Sequence, residues 1–301
     1  VFRSRGDFAD LLPARIVSLV PSLSEALFVL GLGQRLVGVT EYCVHPAGAF
    51  DGLPRLGGTK DADVEGIVGL RPDLVIANQE ENTARVVRRL AAQGIDVWVT
   101  YPRTVREGAD LLADLASLGA SAEATERHVA PVIAAVEAAE RARDGRLAAE
   151  ETAAKGLAGP ASGSPRPKVF CPIWRDPWMT IARGTYIHDM IELCGGENLF
   201  AGGSLPDGST ARQPAGASRG DGDRRYPKVE LDAVLAARPD VILLPDEPYA
   251  FDEWDARRLL RTDTPAARAG RVHLIDGTLV SWYGPRIVEA IRALAAIFAV
   301  P

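Results

Sequence analysis

One segment of this chain occurs twice. Val64-Glu-Gly-Ile-Val-Gly-Leu-Arg-Pro-Asp-Leu-Val-Ile76 and Leu231-Asp-Ala-Val-Leu-Ala-Ala-Arg-Pro-Asp-Val-Ile-Leu243 each read as a short helix, an Arg-Pro-Asp turn and an apolar strand. In both copies an acid, Glu65 or Asp232, stands seven residues before the proline. A helix, turn and strand repeated at such a distance signal two copies of one scaffold. The 301 residues suffice for two lobes at roughly 100–200 residues each. The fold class read from the repeat is therefore α/β, with two related βα lobes in place of one doubly wound domain.

The segments around the first copy keep the same alternation. Arg15-Ile-Val-Ser-Leu-Val20 reads as a strand ending at Pro21, and Ser22-Leu-Ser-Glu25 has the Ser-x-x-Glu spacing of a capping box ahead of a helix over Ala26 to Leu30. Gly31 and Gly33 close that helix, Arg35 to Val39 reads as the next strand, Asn82 to Gln93 as an amphipathic helix and Ile95 to Thr100 as another strand. Such alternation implies a parallel sheet covered by helices on both faces. The chain is thus read as an N-terminal α/β lobe over 1-120, a long connecting helix over 121-155, a Gly/Ser/Pro linker over 156-167, and a C-terminal α/β lobe over 168-301 carrying a flexible insertion at 201-225. Unbroken, the connecting helix spans about 50 Å, and Pro131 is expected to kink it or mark a restart. The crevice between two such lobes is the natural ligand site.

Composition excludes several function classes. With 25% charged residues and a net charge of -6, the chain lacks the clustered cations that gripping nucleic acid requires. Cys43, Cys171 and Cys194 are too few and too scattered for a disulfide framework or a structural zinc. No apolar run reaches the roughly 18–20 residues that span a bilayer, and Val1 to Leu12 shows no signal-peptide pattern. Gly31-Leu-Gly33 with Gly38 follows a helix instead of joining a strand to one, so it is no dinucleotide fingerprint. Leu56-Gly-Gly-Thr-Lys60 lacks the phosphate-loop frame, and no Gly-x-Ser-x-Gly elbow occurs. The four histidines are dispersed; a metal site drawing His45 and His188 together competes with ordinary surface or capping roles. No nucleophile and base pair stands out, so neither a catalytic residue nor a metal ligand is assigned.

The aromatic residues carry the binding signal. Only 6% of the chain is aromatic, yet Trp174 and Trp178 flank Arg175, Tyr186 follows closely, and Trp282-Tyr283 precede Arg286. These positions follow strand-like segments, where α/β folds place the loops of a ligand crevice. Aromatic faces beside arginine suit a large planar or macrocyclic ligand; the competing reading is that Trp178 and Trp282 anchor loops to their own lobe. Trp98 and Trp254 fall outside this pattern and read as core or surface anchors. On the first lobe the candidate loops are Pro21-Ser22, Thr40-Glu-Tyr-Cys43 with Tyr42, Gly57-Gly-Thr-Lys60 and Asn78-Gln-Glu-Glu-Asn82; Ser22 at a helix start offers donors to a ligand acceptor. The Glu80-Glu81 pair binds a cation or acidifies the first turn of the following helix. Glu65 and Asp232 sit in the first turns of matched helices, where they favour the helix dipole or dock symmetrically onto a two-fold partner.

The stretches Arg15 to Glu25 with Gly31-Leu-Gly33 and Val37-Gly-Val39, Gly57-Gly58 with Arg71-Pro-Asp73, Ile191-Glu-Leu-Cys-Gly-Gly-Glu-Asn-Leu-Phe200, the second Arg-Pro-Asp unit, and Ser281-Trp-Tyr-Gly-Pro-Arg-Ile287 together resemble a known family. It comprises the solute-binding proteins of ABC importers of the long-backbone-helix type, within them the cobalamin-binding branch described as helical backbone metal receptors. The resemblance implies a non-enzymatic, class III periplasmic-binding-protein-like or chelatase-like architecture that holds cobalamin or a related corrinoid between its lobes, requires no cofactor, acts as a monomer and delivers the ligand to a membrane permease. It places Tyr42, Trp174, Trp178 and Trp282 in cleft loops and matches Glu65 and Asp232 to the permease-docking acids, with Asp where cobalamin-binding relatives have Glu at the second. A periplasmic or other extracytoplasmic location follows, and a cytosolic relative that binds without delivering stays open. The alternatives are a haem or ferric-siderophore binder and, in another class, a metal-dependent or chelatase-like enzyme on the same two lobes.

Overall fold

The computed structural model describes residues 5–8, 12–155, 165–203 and 225–299. The expected linker and insertion therefore lie largely outside the described residues. The chain divides into two compact units: Val1–Pro102 with Arg106–Ala134 and Tyr283–Pro285, and Arg103–Val105 with Ala135–Trp282 and Arg286–Pro301.

The first unit is built on β1 (Ile16–Ser18), α1 (Pro21–Leu27), β2 (Leu36–Val39), α2 (Val64–Gly69), β3 (Leu74–Asn78), α3 (Ala84–Ala92) and β4 (Val97–Thr100), followed by α4 (Val105–Ala116), α5 (Ala122–His128) and the start of α6 (Ala130–Ala154). Its four strands are all parallel, in the order β2-β1-β3-β4. Val17, Val75, Ala77, Val97 and Val99 of this sheet pack against Ile67 of α2 and Val86, Val87 and Leu90 of α3. All five residues of β3 are buried, as a parallel strand covered on both faces must be.

The second unit contains β5 (Lys168–Phe170), β6 (Pro172–Trp174), β7 (Met179–Thr180), α7 (Tyr186–Leu193), β8 (Glu197–Asn198), α8 (Leu231–Ala236), β9 (Val241–Pro245), α9 (Glu253–Leu260), α10 (Pro265–Arg268), β10 (Val272–Ile275), α11 (Thr278–Ser281) and α12 (Ile287–Ala299). A parallel sheet of order β10-β9-β5-β8 forms its centre, and β6 and β7 add an antiparallel ribbon. Phe170, Trp178, Phe200, Ile242, Leu244, Phe251 and Leu259 make its core.

The sequence repeat is a structural one, and its arginine, proline and aspartate have separable jobs. Arg71 and Arg238 both adopt a left-handed backbone, φ 47 and 55, and each ends its helix by donating to a carbonyl three residues back, Val68 (3.0 Å) and Leu235 (3.0 Å). The proline that follows has no N–H, so it cannot extend the helix or add a further capping bond. The aspartate then ties the turn to the neighbouring strand. Asp73 Oδ2 accepts from the amides of Ala14 (2.8 Å) and Arg15 (2.9 Å), and Asp240 Oδ2 from Lys168 N (2.9 Å). In return the amides of Asp73 and Asp240 donate to the carbonyls of Arg15 and Lys168, each at 2.8 Å.

Two local expectations are corrected. The first helix begins at Pro21, with Val20 as an N-cap that makes no side-chain bond, so Ser22 and Glu25 lie inside the helix and form no capping box. Proline fits this first helical position because its φ is preset and its missing N–H needs no partner there. The helix also gives way at Phe28–Leu32 to a wider turn in which Gly31 is left-handed, φ 76, and so ends before Leu30. The long connecting helix restarts at the expected proline: α5 ends at His128 and α6 begins at Ala130, with Pro131 in its first turn. At 25 residues α6 runs about 37 Å, and the division between the units falls within it, after Ala134.

Candidate ligand-binding site

In a parallel α/β sheet, the loops leaving the C-terminal ends of the strands collect at one edge. In the first unit these loops are braced by two buried asparagines. Asn82 Nδ2 donates to the carbonyls of Leu19 (3.2 Å) and Thr59 (2.8 Å), and its Oδ1 accepts from Asn78 N (2.7 Å). Asn78 Nδ2 donates to Thr100 Oγ1 (3.3 Å), while its Oδ1 accepts from Glu80 N (2.8 Å). The loops after β1, β2 and β3 are thus stitched together, and β4 is tied to β3. The Asn-Gln-Glu-Glu-Asn run at the end of an apolar strand is one of the candidate loops in the sequence, but the bracing role of its two asparagines is not legible there. Glu80 and Glu81 lie in that turn and not in the first turn of α3, which is capped by Thr83.

Tyr42 lies in the loop after β2 and is 60% exposed. Beneath it the Cys43 thiol lies 3.1 Å from Ser24 Oγ and 3.2 Å from Thr40 Oγ1, and Arg55 donates to the carbonyls of Thr40 (3.1 Å) and Cys43 (2.9 Å). Burial pushes the Cys43 thiol up, so this sulfur is a packing group and not a thiolate. Ser22 is buried; the polar contacts of this helix start belong to Ser24, which donates to Ser18 Oγ at 2.8 Å. Tyr283 is also buried and belongs to this unit.

The second unit separates the predicted aromatics into two groups. Trp174, at the end of β6, is 43% exposed and meets the Tyr249 ring edge-on at 5.4 Å. Arg175 beside it forms an ion pair with Asp255, itself 2% exposed, and its guanidinium lies over Tyr249 (5.3 Å) and Trp254 (5.0 Å). Trp178, by contrast, is 7% exposed and stacks on Phe251 at 5.8 Å inside the core. It anchors its loop. Tyr186, the first residue of α7, is buried, and burial pushes its hydroxyl pKa up.

Trp282 is buried as well, with the Arg286 guanidinium 5.0 Å over its ring. Arg286 donates to Thr278 Oγ1 (2.8 Å) and pairs with Asp276 at 3.5 Å. Glu247, which sequence reasoning did not single out, accepts from Ser281 Oγ (2.8 Å) and from the Trp282 side chain. The structure thus brings Trp174 together with Arg175, and Trp282 with Arg286, while Trp178 and Tyr186 turn inward.

The model for the family described as periplasmic binding proteins matches residues 16–279. The chain belongs to the periplasmic binding protein family. A curated vitamin B12-binding protein of Vibrio cholerae is 26% identical over 278 residues, 92% of this chain and 86% of that one. Among solved structures, the periplasmic heme-binding protein RhuT of Roseiflexus in apo form superposes with a TM-score of 0.69 at 26% identity, covering 94% of this chain and 97% of that one. The periplasmic vitamin B12-binding protein BtuF of Vibrio cholerae shares the fold with a TM-score of 0.71 at 24% identity, covering 95% and 97%. These relatives are solute-binding proteins, and this chain is one of them and not an enzyme, which removes the chelatase-like reading.

On this periplasmic binding protein the two matched acids occupy equivalent places. Glu65 and Asp232 are each the second residue of their helix, α2 or α8, and both are exposed. Their surroundings differ: Glu65 pairs with Arg89 at 2.7 Å, whereas Asp232 forms no ion pair among the described residues. No group of three or more His, Cys, Asp or Glu is placed to hold a metal among the described residues, and His45 and His188 belong to different units. His188 is engaged with Asn198 Nδ2 at 3.2 Å, and burial lowers its pKa. No helix among the described residues is long and apolar enough to cross a membrane.

Proposed function

We propose that this protein captures cobalamin or a related corrinoid and hands it to the permease of an ABC importer in the periplasm or another extracytoplasmic compartment. The observation that carries the reading is the half-exposed Trp174 beside Arg175 at the strand-end edge of the second unit. A macrocycle wide enough to stack on an indole, with polar side arms for the adjacent guanidinium, fits such a surface. Tyr42 supplies an exposed aromatic from the first unit. In this reading Tyr42, Trp174, Arg175 and Arg286 offer contacts to the ligand, while the buried Ser22, Trp178, Tyr186, Trp282 and Tyr283 shape the loops of their own units. The vitamin B12-binding relative, aligned along 92% of the chain, supports the corrinoid. No cofactor is required beyond the ligand, and the working form is a monomer.

A second reading, haem, is favoured by the similarity to the heme-binding RhuT at 26% identity. Both ligands are planar tetrapyrroles, so one titration separates them. Visible-absorbance and calorimetric titration against cyanocobalamin, haemin and ferric siderophores is expected to give one-to-one binding of the corrinoid at micromolar concentration or below. Binding of haemin with no corrinoid binding replaces the first reading by the second; a ferric siderophore as sole ligand removes both.

A further inference from the structure

Trp254 reads from the sequence as a core or surface anchor, and it is not in the core: it is 54% exposed on α9. Its ring lies 5.0 Å from the guanidinium of Arg175 and 5.6 Å from that of Arg258. Arg175 is held in place by the buried Asp255 and also covers Tyr249, whose ring meets the exposed Trp174. Trp174, Tyr249, Arg175, Trp254 and Arg258 therefore form one continuous chain of ring and guanidinium contacts. Its two guanidinium groups differ in pairing. Arg175 is neutralised by Asp255, whereas Arg258 is exposed and forms no ion pair among the described residues.

We infer that Trp254 and Arg258 are specificity-determining residues, extending the Trp174 surface into a shelf that takes a flat tetrapyrrole carrying an anionic arm. Trp254 provides the stacking face and Arg258 the cation for the arm. This rests on the tetrapyrrole reading above and adds to it the requirement for a negative charge. That charge has two sources, a propionate of haem or the phosphodiester of a complete corrinoid. A guanidinium pairs with either oxyanion through parallel N–H donors, and its contact with the indole holds it beside the stacked ring. Self-packing does not account for the arrangement, because an indole left more than half exposed gains little burial for the loop it sits on.

The test is affinity measured on the full chain with four probes: cyanocobalamin, dicyanocobinamide (which lacks the phosphodiester), haemin and its dimethyl ester. Trp254→Ala is expected to weaken the bound tetrapyrrole about fivefold to tenfold, and Trp254→Phe to restore affinity to within about twofold. Arg258→Gln is expected to weaken cyanocobalamin or haemin, whichever the wild type binds, and to leave the matching uncharged-arm probe unchanged. Both positions are exposed, so folding should survive the changes, and melting temperature checks this. Wild-type affinity in both Trp254→Ala and Arg258→Gln overturns the inference while the tetrapyrrole reading stands. A Trp254→Phe variant as weak as Trp254→Ala overturns the stacking role. A wild type that binds none of the four overturns the inference together with the reading beneath it.

Discussion

Glu247 lies two residues past β9 with Ser281 Oγ and the Trp282 side chain both donating to its carboxylate. Burial raises its pKa above the ordinary 4.5, against those hydrogen bonds, and the neighbouring Asp246 and Asp276 add to the rise. A carboxyl raised in the folded state contributes stability that is fully present below the unfolded value and lost as pH rises through the folded one. In the window just above 4.5, this group therefore makes the protein less stable as pH increases. Glu247→Gln keeps an acceptor oxygen for Ser281 and Trp282 but cannot ionise. Urea denaturation from pH 4 to 8 should show the variant gaining stability relative to wild type as pH rises, and parallel curves would refute the assignment. The same residue marks a limit of reading one dimension. Nothing in Asp-Glu-Pro announces a half-buried carboxylate, because its partners come from a helix more than thirty positions away.

At the scale of elements, the Arg-Pro-Asp units do more than punctuate. Asp73 supplies one carboxylate oxygen to two exposed amides that precede β1, so Asp73→Ala removes the tie and leaves both donors to water. The expected cost is about 0.5–1.5 kcal/mol, read as a lower urea midpoint with unchanged m-value; a midpoint equal to wild type would contradict the role. Alternation of apolar strands with helices was legible along the first unit and at the repeat copy in the second, since burial on two faces writes itself into runs such as Leu74 to Ala77; the short β6–β7 ribbon was not. Helix starts were less so. Ser22 and Glu25 carry the spacing of a cap, but Pro21 takes the first helical position and displaces them. Pro131 announced a break, though which side of it would carry the longer helix depended on packing: Val132 and Val136 are buried, and α5 has no fully buried residue.

For the molecule as a whole, the repeat in the sequence carries two exposed acids at matched positions, and a transport role gives them a use. If Glu65 and Asp232 meet the permease, replacing both with alanine should leave ligand affinity unchanged and reduce ligand-dependent ATP hydrolysis by the reconstituted importer at least about tenfold, the loss of roughly 1.4 kcal/mol in docking. Undiminished stimulation would remove the docking role. The candidate site was legible only in part. Aromatic clustering pointed to Trp174 and Arg175, but equally to Trp178, which stacks inside the core, and the reading passed over Trp254 although Tyr249 and Phe251 stand within five residues of it. Exposure is a property of the packed chain and not of a residue's neighbours along it. The aspartate ties described for both units lie at the N-terminal ends of the strands, joining positions 59 and 72 apart, whereas the aromatic and cationic loops leave the opposite ends. Fastening of the central strands and choice of cargo are thereby assigned to opposite margins of each sheet, so a lineage can exchange one cargo for another by redrawing its loops while the ties between the strands stay as they were.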